Sequence, residues 1–224
     1  EMEVSIDETA TPTTPAEHYL VAAELGRLDV RWLGLAPRFI GDFEKGVDYI
    51  GDLASFEKAF AEHAAVARAL GPYKLSIHSG SDKFSVYPII AGWAGDFIHL
   101  KTAGTSYVEA LRAVARFAPD FFRRIVTFAL SRFDADRASY HISARKENVP
   151  SVATVKDELL ANLLDHPDTR QLLHVTYGSV LTAKKPDGTF LFRDDIRRVL
   201  IDHEEAYFAI LEQHLGRHIK PFAR

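Results

Sequence analysis

His78 is the residue whose type and position best fit a chemical role. It closes a short alternating segment, Tyr73–His78, and is followed by the polar run Ser79-Gly80-Ser81-Asp82-Lys83. Neutral imidazole is a common ligand of divalent metals and also serves as a general acid or base. We therefore predict that His78 is a metal ligand. The alternative is a histidine that only makes hydrogen bonds at the end of a strand.

Two carboxylates near the start of the chain could move protons. Residues Met2–Asp7 alternate between apolar and polar side chains, with Glu3 and Asp7 on the polar side, which predicts a strand with one polar face. Burying a carboxylate in the interior of a protein, such as the inside of a β-barrel, costs free energy unless the carboxylate is paired or bound to a metal. Glu3 and Asp7 are thus predicted catalytic residues. A solvated edge strand for Glu3 and a turn cap for Asp7 are the alternatives.

Other polar side chains lie in or after further strand-like segments. His99 and His174 fall within such segments, where a lone histidine is more often a hydrogen-bonded core residue. We keep His174, together with the loop residue Asp42, as a further candidate metal ligand. The candidate substrate-binding residues are Arg38, Ser79, Asp82, Lys83 and Lys101. The histidines on predicted helices are expected at the surface; they are His18, His63, His203, His214 and His218.

These side chains need a scaffold that brings strand ends together. After the first strand, the pattern predicts strands at Val30–Ala36, Tyr73–His78, Phe97–Thr102 and Leu172–Tyr177. Helices are predicted at Pro15–Leu25, where Thr14 and Glu17 can form a capping box, at Phe56–Leu70, through much of Val108–Leu164 and at Asp194–Leu215. Alternating strands and helices predict parallel strands, with the site at their C-terminal ends.

The predicted fold class is α/β, a partial (β/α)8 TIM-barrel-like fold with parallel strands, helices outside and extra helices in the C-terminal half. Five strands are too few for a closed barrel, and polar strand faces disfavour an open doubly wound sheet. We expect residues 1–224 to form a single domain, the C-terminal portion of a larger barrel, with a long helix over 191–218 packed on it. The chain begins at Glu1 without an initiator methionine, so a missing N-terminal half is the expected partner.

Composition narrows the class of function. The chain has 224 residues with a net charge of −4, so it has no excess of positive charge that would favour the binding of nucleic acid. It has no cysteine, which leaves His, Asp, Glu and carbonyl oxygen as possible metal ligands. No apolar run approaches the roughly 20 residues of a membrane span, and dinucleotide, P-loop and serine-hydrolase motifs are absent. We expect a cytoplasmic enzyme without nucleic-acid or membrane partners.

Four runs of the sequence resemble the tagaturonate/fructuronate epimerases: Glu3–Thr9, Gly34–Phe39, Lys74–Ser85 and His99–Thr105. The likeness continues through Leu172–Gly178 and covers nearly all of the chain. It implies a divalent-metal-dependent C4 epimerase of bacterial hexuronate breakdown, in which Glu3 matches the acid/base position and His78 a metal position. Members of the family are longer, so the chain resembles their C-terminal half, and further ligands are expected in the other half.

The implied substrate constrains the reaction. A ketone at C2 acidifies the hydrogens on C3 but not those on C4, so simple deprotonation does not invert C4. Transient oxidation would need a nicotinamide site. Retro-aldol cleavage of the C3–C4 bond is the remaining hypothesis, in which a metal on the C2 oxygen stabilises the enediolate and Glu3 moves the proton of the C4 hydroxyl.

Two other interpretations stay open. The chain could belong to another metal-dependent sugar isomerase or aldolase on a TIM barrel, which product analysis would distinguish. It could also be a non-catalytic half-barrel that only completes the sheet of a partner, because open strand edges demand pairing. A homo-oligomer is compatible with every one of these interpretations.

Overall fold

The computed structural model describes residues 2–223. This part of the chain consists of two compact units. The first comprises residues 2–43, 48–102 and 218–223, and the second comprises residues 44–47 and 103–217. Each unit has its own buried apolar cluster. That both units belong to one domain of a larger barrel stays a prediction.

The first unit contains a parallel sheet of four strands. They are β1 (Glu3–Ile6), β2 (Gly34–Pro37), β3 (Lys74–Ile77) and β4 (Ile98–Leu100), and their spatial order is their order in the chain, as expected of consecutive strand–helix–strand units. Glu3 lies opposite Gly34, and Ser76 lies opposite His99. The predicted α/β class with parallel strands is confirmed, and the sheet is open, consistent with part of a barrel.

The helices of the first unit are α1 (Pro15–Arg27), α2 (Leu53–Leu70) and α3 (Tyr87–Ala94), and a 3₁₀ turn covers Lys220–Phe222. The predicted capping box at the start of α1 is confirmed. The backbone N–H of Glu17 donates to Thr14 Oγ1 at 3.2 Å, and the N–H of Thr14 donates to a Glu17 carboxylate oxygen at 2.7 Å. Both bonds satisfy backbone groups that a helix start leaves open.

The faces of the sheet differ in polarity. On β3, the side chains of Leu75 and Ile77 are buried in an apolar cluster together with Phe56 and Phe60 of α2. Because side chains alternate along a strand, Ser76 points to the opposite face. The apolar face therefore anchors the sheet on its helices, and the polar face is left for chemistry.

The expectation of surface histidines on the helices is wrong for His18 and His63, which are 0% and 2% exposed. His18 Nδ1 lies 3.0 Å from His63 Nδ1, and His18 Nε2 lies 2.8 Å from the hydroxyl of Tyr73. A histidine can be buried when its ring nitrogens find partners, and those partners come from different elements. His214 and His218 are also buried.

The second unit is built mainly from helices. Short 3₁₀ segments cover Arg137–Ser139, Lys146–Asn148 and Asp157–Asp165. The α-helices are α4 (Thr105–Phe117), α5 (Pro119–Asp136), α6 (Pro167–Val175), α7 (Tyr177–Thr182), α8 (Arg193–Asp202) and α9 (Glu204–Ile219), the last belonging to this unit as far as residue 217. The predicted extra helices in the C-terminal half are confirmed. Among the helices of residues 2–223, none combines the length and apolarity needed to cross a membrane.

The strand predicted at Leu172–Tyr177 is wrong, because α6 covers most of this segment and α7 begins at Tyr177. Pro167 occupies the first turn of α6 together with Asp168, and both residue types favour a helix start. The apolar run was ambiguous because a short buried helix and a short buried strand have the same composition.

The long helix predicted over 191–218 is also wrong. It is two helices, α8 and α9, separated at His203, whose φ of −129° and ψ of 37° are not helical. The ring of His203 stacks on Phe117 with the centroids 3.9 Å apart. Nothing in the apolar periodicity marked this break.

Candidate active site

The polar face of the sheet gathers five side chains that can do chemistry. Glu3, Ser76 and His99 belong to β1, β3 and β4, and Asp7 and His78 follow β1 and β3 directly. Because the strands are parallel, their C-terminal ends lie at the same edge of the sheet. We call Glu3, Asp7, Ser76, His78 and His99 the sheet-face cluster.

Glu3 reaches across β2 to contact β3. Neighbouring strands are about 4.8 Å apart, so a side chain of β1 must pass over one strand to touch β3. The residue beneath is Gly34, and a methyl group added there would lie 3.5 Å from Glu3 Oε2. That distance is an ordinary van der Waals contact, so the carboxylate of Glu3 lies over the backbone of β2 at Gly34.

The carboxylate of Glu3 is held by three side chains. Ser76 Oγ donates to Oε2 at 2.6 Å, His99 Nδ1 lies 2.8 Å from the same oxygen, and His78 Nε2 lies 2.7 Å from Oε1. Burial raises the pKa of Glu3, but the hydrogen bonds from these groups and the charge of His78 outweigh it, and the pKa falls from 4.5 to about 2. Glu3 is thus a carboxylate at neutral pH, able to accept a proton or to bind a cation.

His78 is fixed between two carboxylates. Its Nε2 faces Glu3, and its Nδ1 lies 2.8 Å from Asp7 Oδ2. Asp7 in turn accepts a hydrogen bond from the hydroxyl of Ser5. The side chains of His78, Asp7 and Glu3 are 18%, 20% and 29% exposed, so all three are ordered by neighbours and still open to a small molecule.

The loop after β3 is held by hydrogen bonds to neighbouring segments of the first unit. Ser79 and Asp82 have positive φ angles of 51° and 64°, which non-glycine residues adopt at a cost. The N–H of Gly80 donates to the carbonyl of Lys101 at 3.1 Å, and the hydroxyl of Tyr87 donates to the carbonyl of Gly80 at 2.5 Å. The predicted substrate-binding residues Ser79 and Asp82 therefore lie in a pre-shaped loop.

The candidate cations differ in exposure. Lys83 is 0% exposed and its Nζ donates to the carbonyl of Ser81 at 3.0 Å. Lys101 is exposed, while its backbone N–H pairs with the carbonyl of Ile77 at 3.0 Å. Arg38 donates through Nη1 to the carbonyl of Thr9. Lys101 is the most accessible of the predicted cations.

The two other predicted metal ligands lie elsewhere in the fold. Asp42 is in the loop after β2, where its backbone pairs with Ile50. His174 belongs to α6 of the second unit, not to a strand, and is buried. A side chain at Gly104, whose φ is 80°, would lie 2.5 Å from His174 Nε2, so this glycine makes room for the ring.

Ser76 and His99 were absent from the predicted site. A signal for both was present in the sequence, because Ser76 alternates with His78 and His99 lies in the adjacent strand. The sequence did not predict the register of the strands. That register places Ser76 opposite His99 and both residues beside Glu3.

The donors of the sheet-face cluster fit a divalent cation. Imidazole nitrogen and carboxylate oxygen together suit several first-row metals. Glu3 and His78 present these atoms side by side, and both side chains are partly exposed. Asp7 adds a second carboxylate. The residues present are thus of the right chemistry, and any of the three could contribute a ligand atom.

Comparison with known proteins gives consistent results. The family model for tagaturonate epimerase, UxaE, matches residues 1–222. A tagaturonate/fructuronate epimerase from Thermotoga maritima is 47% identical over 219 residues, which is 98% of this chain and 44% of that protein. The native crystal structure of fructuronate-tagaturonate epimerase UxaE from Cohnella laeviribosi is 49% identical with a TM-score of 0.95, covering 98% of this chain and 45% of that one.

A second crystal structure of the Cohnella laeviribosi protein, described as complexed with two glycerols, also has a TM-score of 0.95 and covers 99% of this chain. The chain spans less than half the length of each of these relatives. The TM-score of 0.95 shows that the fold of this chain is shared with the Cohnella laeviribosi structures.

Proposed function

The chain belongs to the tagaturonate epimerase family, and we propose that the whole protein containing it interconverts D-tagaturonate and D-fructuronate. The observation that carries this proposal is the convergence of Glu3, the first residue of β1, and His78, the residue after β3, which lie 2.7 Å apart on the polar face of a parallel sheet. The relatives that share this chain's sequence are named as epimerases of these two sugar acids.

Glu3 is the proposed proton carrier. Ionised at neutral pH, it takes the proton of the C4 hydroxyl as the C4 oxygen becomes an aldehyde. The electrons of the C3–C4 bond pass to C3 and form an enediolate with the C2 oxygen. Rotation of the aldehyde and reversal of these movements returns the proton and inverts C4. A base placed within hydrogen-bond reach of such a hydroxyl is worth about 10²- to 10⁴-fold in rate.

A divalent cation, when bound, would supply polarisation of the C2 carbonyl. We propose His78 as a ligand, with Asp7 holding the ring from its other nitrogen, as the 2.8 Å contact supports. Asp7 also stays a candidate catalytic residue. Asp42 and His174 stay predicted ligands, and the identity of the metal is left to measurement.

The substrate carboxylate needs a positively charged side chain as its partner. Lys101 is proposed first because it is exposed, and Arg38 second because its guanidinium already donates to a backbone carbonyl. Ser79 and Asp82 are proposed to bind substrate hydroxyls from the loop after β3. Lys83 stays a predicted contact, although it is buried.

We further propose that the part of the relatives that this chain does not cover supplies the remaining strands of the barrel. The open edges of β1 and β4 support this, because unpaired strand edges in a sheet are usually covered. The cytoplasmic location stays a prediction.

The test is turnover of D-tagaturonate by the whole protein, with separation of the products and with and without a chelator. We expect D-fructuronate as the product, loss of turnover with chelator and recovery when a divalent metal is restored. Absence of turnover with metal restored contradicts the proposal, and a C1–C2 isomer as the product favours a sugar isomerase.

Running the reaction in D₂O distinguishes cleavage of the C3–C4 bond from removal of the C4 hydrogen as a proton. Retro-aldol cleavage keeps the original hydrogen on C4 throughout, so the product should carry no deuterium there. One deuterium at C4 would show that this hydrogen is removed as a proton and would overturn the cleavage mechanism.

A further inference from the structure

The two oxygens of Glu3 have unequal surroundings. Oε2 receives Ser76 Oγ at 2.6 Å and His99 Nδ1 at 2.8 Å, whereas Oε1 faces only His78 among these groups, at 2.7 Å. Ser76 Oγ and His99 Nδ1 are themselves 3.0 Å apart. One oxygen is thus enclosed by the sheet, and the other is directed toward the residue predicted to bind the metal.

Ser76 is the more rigid of the two groups on Oε2. It lies within β3, paired with β4 on one side, and is 0% exposed, whereas the side chain of His99 is 51% exposed. A short side chain on a paired strand has one torsion to adjust, so its hydroxyl is fixed by the backbone. Sites built on strands are held more precisely than sites on loops.

We propose that Ser76 is a positioning residue that fixes Oε2 of Glu3, which leaves Oε1 as the oxygen that exchanges the proton with the substrate. This inference rests on the proposed function. Ser76 does not touch the substrate; it acts through Glu3. The geometry needed for proton transfer is narrow, and displacement of a reacting group by about 1 Å can cost about 10²-fold in rate.

The experiment uses a pair of variants of the whole protein, Ser76→Thr and Ser76→Val. Threonine and valine have nearly the same shape, but only threonine keeps the hydroxyl. We expect Ser76→Thr to keep most of the kcat for D-tagaturonate and Ser76→Val to lose about 10- to 100-fold in kcat, with KM changed little in either. Equal kcat values for the two variants would overturn the proposal.

A control separates this effect from general loss of a buried hydroxyl. Thr176 is buried in the second unit and its Oγ1 donates to the carbonyl of Leu172 at 2.8 Å. Thr176→Val should leave kcat unchanged. If Ser76→Val does not fold, Ser76→Ala removes the hydroxyl without added volume, and the same loss in kcat is expected.

Crystal structures of the variants keep the inference testable if the proposed function fails. No turnover by the wild-type protein would sink the function, but the carboxylate of Glu3 should still superpose on the wild type in Ser76→Thr and turn away from β3 in Ser76→Val. A carboxylate that stays in place in both variants would overturn the positioning role by itself.

Discussion

Two glutamates of this chain meet basic side chains in different ways. Glu3 of the first unit is 29% exposed and faces His78 and His99. Glu109 of the second unit is 2% exposed and binds two guanidinium groups: Arg112 Nε lies 2.7 Å from Oε2 and Arg170 Nη1 lies 2.9 Å from Oε1. The carboxylate of Glu3 is therefore accessible for chemistry, whereas the carboxylate of Glu109 is enclosed.

The partners explain the difference. Arginine is charged at every relevant pH and donates in a fixed planar geometry. Glu109 therefore forms ion pairs with Arg112 and Arg170 that stay charged and are buried in the second unit. His214 Nδ1 adds a further contact at 3.3 Å. Burial raises the pKa of Glu109, and Arg112, Arg170 and His214 outweigh it and lower the pKa. The partners of Glu3 are a serine and two histidines, none of which has the permanent charge of arginine.

Removing each carboxylate should lower stability by different amounts. Glu109→Ala removes the buried carboxylate that Arg170 and Arg112 share and leaves Arg112 paired with Asp165, and we expect a loss of about 3 to 5 kcal/mol in the free energy of unfolding. Glu3→Ala removes a carboxylate that is itself partly exposed, as are the side chains of His78 and His99, and we expect a loss of about 1 kcal/mol. Urea denaturation of both variants measures this, and equal losses would contradict the distinction.

Acid should weaken the first unit through its buried histidines. Burial, and then the charge of His63, lowers the pKa of His18 from 6.5 to about 4. The unfolded chain binds a proton at His18 below about pH 6.5, but the folded chain does not until about pH 4. Stability therefore falls as the pH drops through this window, by about 3 kcal/mol in total.

Unfolding free energies measured by urea denaturation from pH 7 to pH 4 test this. His18→Asn should be less stable at pH 7 and should show a smaller decrease toward pH 4. A decrease of the same size in the variant would place the acid sensitivity elsewhere in the molecule.

The smallest expected effect concerns a helix start. Thr14→Ala removes the side-chain acceptor for the N–H of Glu17, and we expect a loss of about 1 kcal/mol. Ser131→Ala is the control from the second unit, because this exposed hydroxyl only donates to the carbonyl of Phe128 within its own helix; it should change stability by about 0.5 kcal/mol or less. Thermal unfolding of both variants is sufficient.

The two units also differ in how far the sequence predicted them. In the first unit, alternation identified β1 and β3, a short apolar run identified β2, and Thr14 with Glu17 identified the start of α1, because these patterns are local. In the second unit, the apolar run around His174 fitted a strand as well as a helix, and the structure has the helix α6 there. The break at His203 depends on its own backbone and had no sequence signal.

The candidate site shows the same limit. Glu3, Asp7 and His78 were predicted from residue type and position, and the structure brings them together. Ser76 was not predicted. Its role depends on its contact with the carboxylate of Glu3 on β1, and β1 is not adjacent to β3 in the sheet. That relation requires the register of the sheet, which no local pattern encodes.

The most direct test of the account is the turnover of D-tagaturonate by Glu3→Gln in the whole protein, measured together with urea denaturation of the same sample. Glutamine keeps the shape of the side chain but does not accept the proton. We predict a loss of turnover of about 10³-fold with stability changed by about 1 kcal/mol or less. Turnover close to that of the wild type would contradict the assignment of Glu3 as the proton carrier and of the sheet-face cluster as the active site.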